Sequence, residues 1–163
     1  MIIFGLGSNL GNRLGNLRSA VERLREFGDV ARASDVFETE PWGVADQPKF
    51  LNACVMIQNF SQFNPLEILQ SVKQIERELG RVENIRWGAR KIDVDILLIN
   101  DMILYSPDLK IPHVNLHERL FVLRPLLQIA PDWIHPLLKI SVRDMYERIA
   151  KSESHQPLRI CKL

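Results

Sequence analysis

The stretch Ile92-Asp93-Val94-Asp95-Ile96-Leu97-Leu98-Ile99 is an apolar run that opens on two aspartates one residue apart. Eight residues this rich in Ile, Leu and Val, bounded by polar segments, read as a buried-type strand. Upstream lies a helix with legible ends: Asn64 suits the N-cap, Pro65 the first helical position, Glu67 the reciprocal capping position and Gly80 the stop. Its buried stripe is Leu66, Leu69, Val72, Ile75 and Leu79. Further back stand a strong strand from Phe50 to Asn59 and an extended segment from Val30 to Phe37, joined by a loop holding Pro41, Trp42, Gly43 and Pro48. Gly28-Asp29 ends a first helix whose stripe is Leu14, Leu17, Val21 and Leu24, and Met1 to Leu6 is a strand running into the turn Gly7 to Asn12. The order strand, helix, strand, strand, helix, strand predicts an α+β fold: a ferredoxin-like split βαβ core, βαββαβ, with helices packed on an antiparallel sheet.

That core fills residues 1–99. Residues 100–163 predict helices around Leu116 to Ile129 and Val142 to Ile149, with no linker, repeat or shift in composition. They are expected to form an extension packed on the same core, so that 1–163 is one domain. The tail Ser152 to Leu163 carries no readable signal.

A chain of 163 residues, 46% hydrophobic and 25% charged, has material for a full core. Its 21 basic and 20 acidic side chains leave a net charge of +1, so no whole-chain field for nucleic acid exists and no nucleic-acid partner is expected. No run approaches the roughly 18 apolar residues of a membrane span, and the chain starts directly on a strand. Cys54 in an apolar run and Cys161 in the tail read as a core thiol and an incidental one, which suits a reducing cytoplasm. A monomer is expected.

In an extended segment residues i and i+2 leave the same face, about 6.6 Å apart along the strand. Asp93 and Asp95 therefore present their carboxylates together. Such a pair can simply be a solvated face. It can also bridge two Mg²⁺ ions about 3.5–4 Å apart in a phosphoryl-transfer site, and the apolar residues around it argue against solvation. The segment Gly80 to Lys91 holds four cations, Arg81, Arg86, Arg90 and Lys91, against Glu83, with a glycine near each end that would let it close over phosphates.

Other motifs read more plainly. Gly5-x-Gly7-x-x-x-Gly11 follows a strand, but its third glycine is one residue late for a dinucleotide fingerprint and no P-loop lysine follows, so these glycines suit a tight turn. Ser8 and Asn9 can still offer polar groups to a ligand. His113-x-x-x-His117 lacks a third ligand at zinc spacing; His113 suits a hydrogen-bonding or phosphate-contacting role and His117 the surface, while His135 and His155 stand alone. Trp42, Phe50, Asn52 and Phe121 can be core residues, or can enclose and hydrogen-bond a flat heterocycle.

Seven ordered blocks carry a resemblance: Gly5-Leu6-Gly7-Ser8-Asn9-Leu10-Gly11, Thr39-x-Pro41-Trp42-Gly43, Gln47-Pro48-x-Phe50-Leu51-Asn52, Ile75-Glu76-x-x-Leu79-Gly80-Arg81, Trp87-Gly88-x-Arg90-x-Ile92-Asp93-x-Asp95-Ile96, Ile111-Pro112-His113 and Arg119-x-Phe121-Val122-Leu123-x-Pro125-Leu126. Over residues 2–136 the chain resembles the 6-hydroxymethyl-7,8-dihydropterin pyrophosphokinases of folate biosynthesis. The resemblance implies transfer of the β,γ-pyrophosphoryl group of ATP to the hydroxymethyl oxygen of the pterin, releasing AMP. It implies that Asp93 and Asp95 bind two Mg²⁺ and that Arg81 and Arg90 neutralise the transferring group. Thr39, Trp42, Phe50, Asn52 and Phe121 would match the pterin pocket, and Glu76, Trp87, Ile96, Lys110, His113 and Arg119 the ATP side. The chain departs from the family pattern at Lys73, where glutamine is usual, at Val114, where proline or tyrosine follows the histidine, and in a span from Arg81 to Trp87 that is one residue short. Ferredoxin-like units also serve as polymerase or cyclase palms and as regulatory ligand-binding modules, which are the alternatives in other classes.

Overall fold

A computed structural model describes residues 1–41, 46–59, 64–82, 88–151 and 157–163. The chain runs β1 (Ile2–Ser8), α1 (Arg13–Leu24), β2 (Asp29–Ala33), β3 (Asp35–Thr39), β4 (Phe50–Gln58), α2 (Pro65–Glu78), β5 (Asp93–Ile99), β6 (Leu104–Tyr105), β7 (Lys110–Ile111), α3 (Leu120–Ile129), α4 (Val142–Ala150) and β8 (Leu158–Lys162). The helix signals hold at atomic detail. Asn64 accepts the Leu66 N–H while Glu67 accepts the Asn64 N–H, closing a capping box ahead of Pro65. Gly80, at φ 86°, takes the left-handed turn that ends α2, and a Cβ there would stand 3.1 Å from the Lys91 Nζ.

The main sheet has the order β5-β1-β4-β3-β8, with β2 also on β4 and every pairing antiparallel. β1 and the β2/β3 pair thus flank β4, and β4 and β5 flank β1. This is the split βαβ arrangement of a ferredoxin-like α+β fold. Alternation sorts the strands onto two faces. Ile2, Phe4, Leu6, Ala53, Val55, Val94 and Ile96 meet α1 and α2 in one buried cluster. Ile3, Cys54, Met56 and Leu97 meet α3 and α4 in a second cluster.

Three expectations change. The extended segment Val30 to Phe37 is two strands, because Ser34 leaves the ladder: its hydroxyl accepts the Cys54 N–H at 2.9 Å and its own N–H donates to the Cys54 carbonyl at 2.9 Å. The helix expected over Leu116 to Ile129 is a 3₁₀ turn at Leu116–Glu118, then α3, with Arg119 extended between them at φ −111° and ψ 102°. Residues 158–162 of the silent tail form β8, an edge strand on β3, where Arg159 Nε lies 2.6 Å from an Asp35 carboxylate oxygen. Cys161 is no incidental thiol there, since it packs against the first cluster. Among the described residues no helix is long and apolar enough to cross a membrane.

Candidate active site

The two faces are not equally covered. On the face of α3 and α4, β1 places Gly5 and Gly7 between two functional strands: Gly7 pairs with Asn52 on one side and Asp93 on the other, and Gly5 with Cys54 and Asp95. The neighbouring strands on either side lie about 10 Å apart, with no side chain on β1 to fill the gap. A Cβ on Gly7 would sit 3.3 Å from the Asn52 Oδ1, so a larger residue would push against the amide it serves. The result is a cavity of about 430 Å³ over the open end of the sheet, in the range of small-ligand sites.

Its two ends differ chemically. At one end Thr39 on β3, Phe50 and Asn52 on β4 and Phe121 on α3 line the wall. Asn52 is nearly buried and donates from Nδ2 to the Thr39 Oγ1 at 2.8 Å, which fixes the orientation of its amide. At the other end stand Lys73, Arg81, Arg90, Asp93, Asp95, His113 and Arg119. Arg81 is held by Glu76 and, at 2.5 Å, by an Asp93 oxygen, and Arg90 Nη1 lies 3.4 Å from the other Asp93 oxygen. Glu76 is buried behind the wall; it also accepts the Val94 N–H at 2.8 Å and the Lys73 ammonium at 2.9 Å. The Arg90 guanidinium sits 5.7 Å above the Phe50 ring and that of Arg119 5.7 Å above Phe121, so each cation is shared between the two ends. Arg90 Nε is buried without a hydrogen-bond partner among the described residues.

Burial, and then the neighbouring Asp93, push the Asp95 carboxyl up to about 7. Burial, and then the Arg119 charge, lower His113 to about 4, so its imidazole is neutral near pH 7 and its Nδ1 accepts the Asn115 N–H at 3.2 Å. A carboxylate held against ionisation beside another is one that a cation would relieve. Among the described residues no three His, Cys, Asp or Glu side chains form a metal cluster. Two carboxylates nevertheless suit Mg²⁺, which takes its remaining ligands from water and substrate phosphates.

The structure thus brings Thr39, Phe50, Asn52, Phe121, Arg81, Arg90, Asp93, Asp95, His113 and Arg119 to one cavity, with Glu76 directly behind it. It does not bring Ile96 or Lys110 there: the Ile96 side chain lies in the cluster on the opposite face, and Lys110 is exposed on the small β6–β7 sheet. Trp42 and Trp87 lie outside the described residues, as does the 83–87 part of the cationic span. Lys73 and Asn115 line the cavity without having been singled out as ligands. The helical spacing of Lys73 and Glu76, three residues apart, was the available signal for the first. His117 is half-buried: its ring meets His135 edge-on at 6.2 Å, and its Nε2 lies 3.6 Å from the exposed Glu118 carboxylate. Ser8 and Asn9 are buried and bonded within the protein.

A carboxylate pair facing a ring of cations on a ferredoxin-like sheet defines a phosphoryl-group transferase that works on a small flat acceptor. Within that class the chain can be placed closely. Residues 3–131 match the model of the family 7,8-dihydro-6-hydroxymethylpterin-pyrophosphokinase (HPPK), and the chain belongs to that family. It is 38% identical over 143 residues to the 2-amino-4-hydroxy-6-hydroxymethyldihydropteridine pyrophosphokinase of Aquifex aeolicus, covering 88% of each chain. With the enzyme of the same name from Bacillus subtilis it is 45% identical over 126 residues, which is 76% of this chain and 74% of that one. The solved wild-type HPPK-DHPS of Plasmodium falciparum superposes with a TM-score of 0.72 at 16% identity, over 92% of this chain and 44% of that one. At that identity the likeness concerns the fold, and this chain spans less than half of the fused protein.

Proposed function

We propose a division of labour in the cavity for the reaction of the family, in which the amide-and-aromatic end holds the pterin and the charged end holds the triphosphate. The reaction is transfer of pyrophosphate from ATP to the hydroxymethyl group of 6-hydroxymethyl-7,8-dihydropterin, giving AMP and the pterin diphosphate in folate synthesis. The observation that carries the division is the row Asn52, Gly7, Asp93 across three strands. It sets a hydrogen-bonding amide and a metal-type carboxylate on either side of a bare glycine.

Asn52 presents a donor and an acceptor to the edge of the heterocycle, with Thr39 holding the amide and Phe50 and Phe121 closing on its faces, and Trp42 is assigned to the same end on the family resemblance. Arg81 and Arg90 neutralise the transferring group, and His113 and Arg119 contact the nucleotide, with Glu76 holding Arg81 from behind the wall and Trp87 assigned to the same side. Formal charges support a metal requirement. Lys73, Arg81, Arg90 and Arg119 face Glu76, Asp93 and Asp95, which leaves one net positive charge to meet a tetra-anionic nucleotide. Two Mg²⁺ held by Asp93 and Asp95 would supply the missing charge. In-line displacement with a loose transition state needs positioning and charge neutralisation more than a strong base, and no general base is assigned. His113, neutral near pH 7, serves as a hydrogen-bonding group.

We take the chain as one domain, since α3 and α4 cover the second face of the sheet that α1 and α2 cover on the first. We propose that it acts as a monomer. The free thiols of Cys54 and Cys161 suit the cytoplasm. Product analysis from ATP, Mg²⁺ and the hydroxymethyl pterin tests the reaction. AMP with the pterin diphosphate is expected, only when Mg²⁺ is present; release of free pyrophosphate would indicate a palm-type nucleotidyltransferase, and ADP would equally refute the reading.

A further inference from the structure

Asn9 lies one residue beyond the last rung of β1, where Ser8 pairs with Leu51 on β4 and Gly7 with Asp93 on β5. It is 2% exposed and does not line the cavity. Its side chain continues both ladders past their ends. On one side its Oδ1 accepts the Arg90 N–H at 2.7 Å, and its own N–H donates to the Arg90 carbonyl at 3.1 Å. On the other side its Nδ2 donates to the Gln47 Oε1 and to the Pro48 carbonyl, each at 3.1 Å. Neither partner segment has a strand ladder of its own at these residues, since β4 begins at Phe50 and β5 at Asp93. Only a side chain with a donor and an acceptor on one rigid plane can serve both.

We propose that Asn9 is a positioning residue that holds Arg90 and the loop leading to Phe50 in one frame. The proposal rests on the assignment of Arg90 to the phosphate side and Phe50 to the pterin side. The two arms meet where the Arg90 guanidinium stands over the Phe50 ring, so their spacing sets the distance between the acceptor and the transferring group. A small displacement there is costly, because a guanidinium stabilises the transition state only from the correct position. The fold does not depend on this amide alone. Ser8 Oγ and Asn16 Nδ2 hold the Lys91 carbonyl independently, and Asn16 also holds the Leu10 carbonyl at 2.9 Å.

A double-mutant cycle with Arg90 separates positioning from a merely structural role. Asn9→Ala is expected to slow the single-turnover chemical step about tenfold while the ATP Kd changes by less than about threefold. In the Arg90→Ala background the same change should cost less than about twofold, because the group through which Asn9 acts is gone. Hydrogen exchange at the Arg90 amide should accelerate by at least about tenfold in Asn9→Ala, independently of any catalysis. Gln47→Ala cuts the side-chain leg to the loop, leaves the leg to the Pro48 carbonyl in place and guards against a folding failure. It should raise the pterin KM about threefold with the chemical step within about twofold of the unmodified protein. Equal losses from Asn9→Ala in both backgrounds, an Asn9→Ala chain that does not fold, or an unchanged pterin KM in Gln47→Ala would each overturn the proposal. If the unmodified chain forms no AMP with the pterin, the reaction assignment fails, while the Arg90 amide still decides the clamp.

Discussion

Replacing Asp95 by Asn should stabilise the metal-free protein, and should do so only above the acid range. In the fold the Asp95 carboxyl is pushed from 3.8 up to about 7, by burial first and by Asp93 second. Between those values the unfolded chain has released the proton and the folded chain retains it, so stability falls as pH rises, and the penalty is complete once pH passes about 7. Each pH unit in that window corresponds to about 1.4 kcal/mol, giving a ceiling of about 4 kcal/mol; screening at the cavity mouth brings the expected value nearer to about 2 kcal/mol. An amide of the same shape carries no such penalty, and among the described residues Asp95 has no side-chain hydrogen bond whose loss would offset the gain. Urea denaturation of both proteins in chelator, at about pH 4 and about pH 8, measures the difference. The Asn variant should match the unmodified protein in acid and exceed it in base, whereas Mg²⁺ with nucleotide should stabilise the unmodified protein alone. Equal stability at the higher pH, or an advantage independent of pH, would refute the reasoning.

The carboxylates should be indispensable to turnover even where they weaken the apo fold: Asp93→Ala and Asp95→Ala are each expected to lose nearly all activity, and near-normal rates at saturating Mg²⁺ would remove the metal assignment. Asn52→Ala should weaken pterin binding by about 1–3 kcal/mol, the cost of an unmet buried hydrogen bond, and ATP binding much less; calorimetric titration showing equal losses would mark the residue as structural. Gly7→Ala places a methyl 3.3 Å from the Asn52 amide oxygen and should imitate that defect with little change in melting temperature; unaltered pterin affinity would show that the bare floor is not needed. Cys161 should react with thiol reagents in the native state while Cys54 does not, because burial raises the Cys54 thiol far above its usual range; early labelling of Cys54, followed by peptide mapping, would contradict the packing of α3 on β4.

Periodicity and turn chemistry were enough to order the elements of the first 99 residues. Stripes such as Leu14, Leu17, Val21 and Leu24, and the caps Asn64, Pro65, Glu67 and Gly80, act within a few residues of themselves. The carboxylate pair was legible for the same reason, since period-two geometry alone puts Asp93 and Asp95 on one face. Several features needed the folded chain. β8 is a largely exposed edge strand whose partner on β3 lies more than a hundred residues away, and no local pattern encodes such a pairing. Ser34 splits one extended run into two strands because its hydroxyl finds the Cys54 N–H across the sheet. The roles of Gly5 and Gly7 as the floor of a cavity arise only when β1 is set between β4 and β5, since the emptiness that matters is measured against neighbouring strands. Asn9 looked like a polar residue offered to a ligand, and its three amide bonds reach residues 38 to 81 positions away. Sequence determines what each segment prefers through forces acting over one or two turns. Which side chains share a cavity is decided by sheet order and register, through contacts that exist only once distant strands have paired.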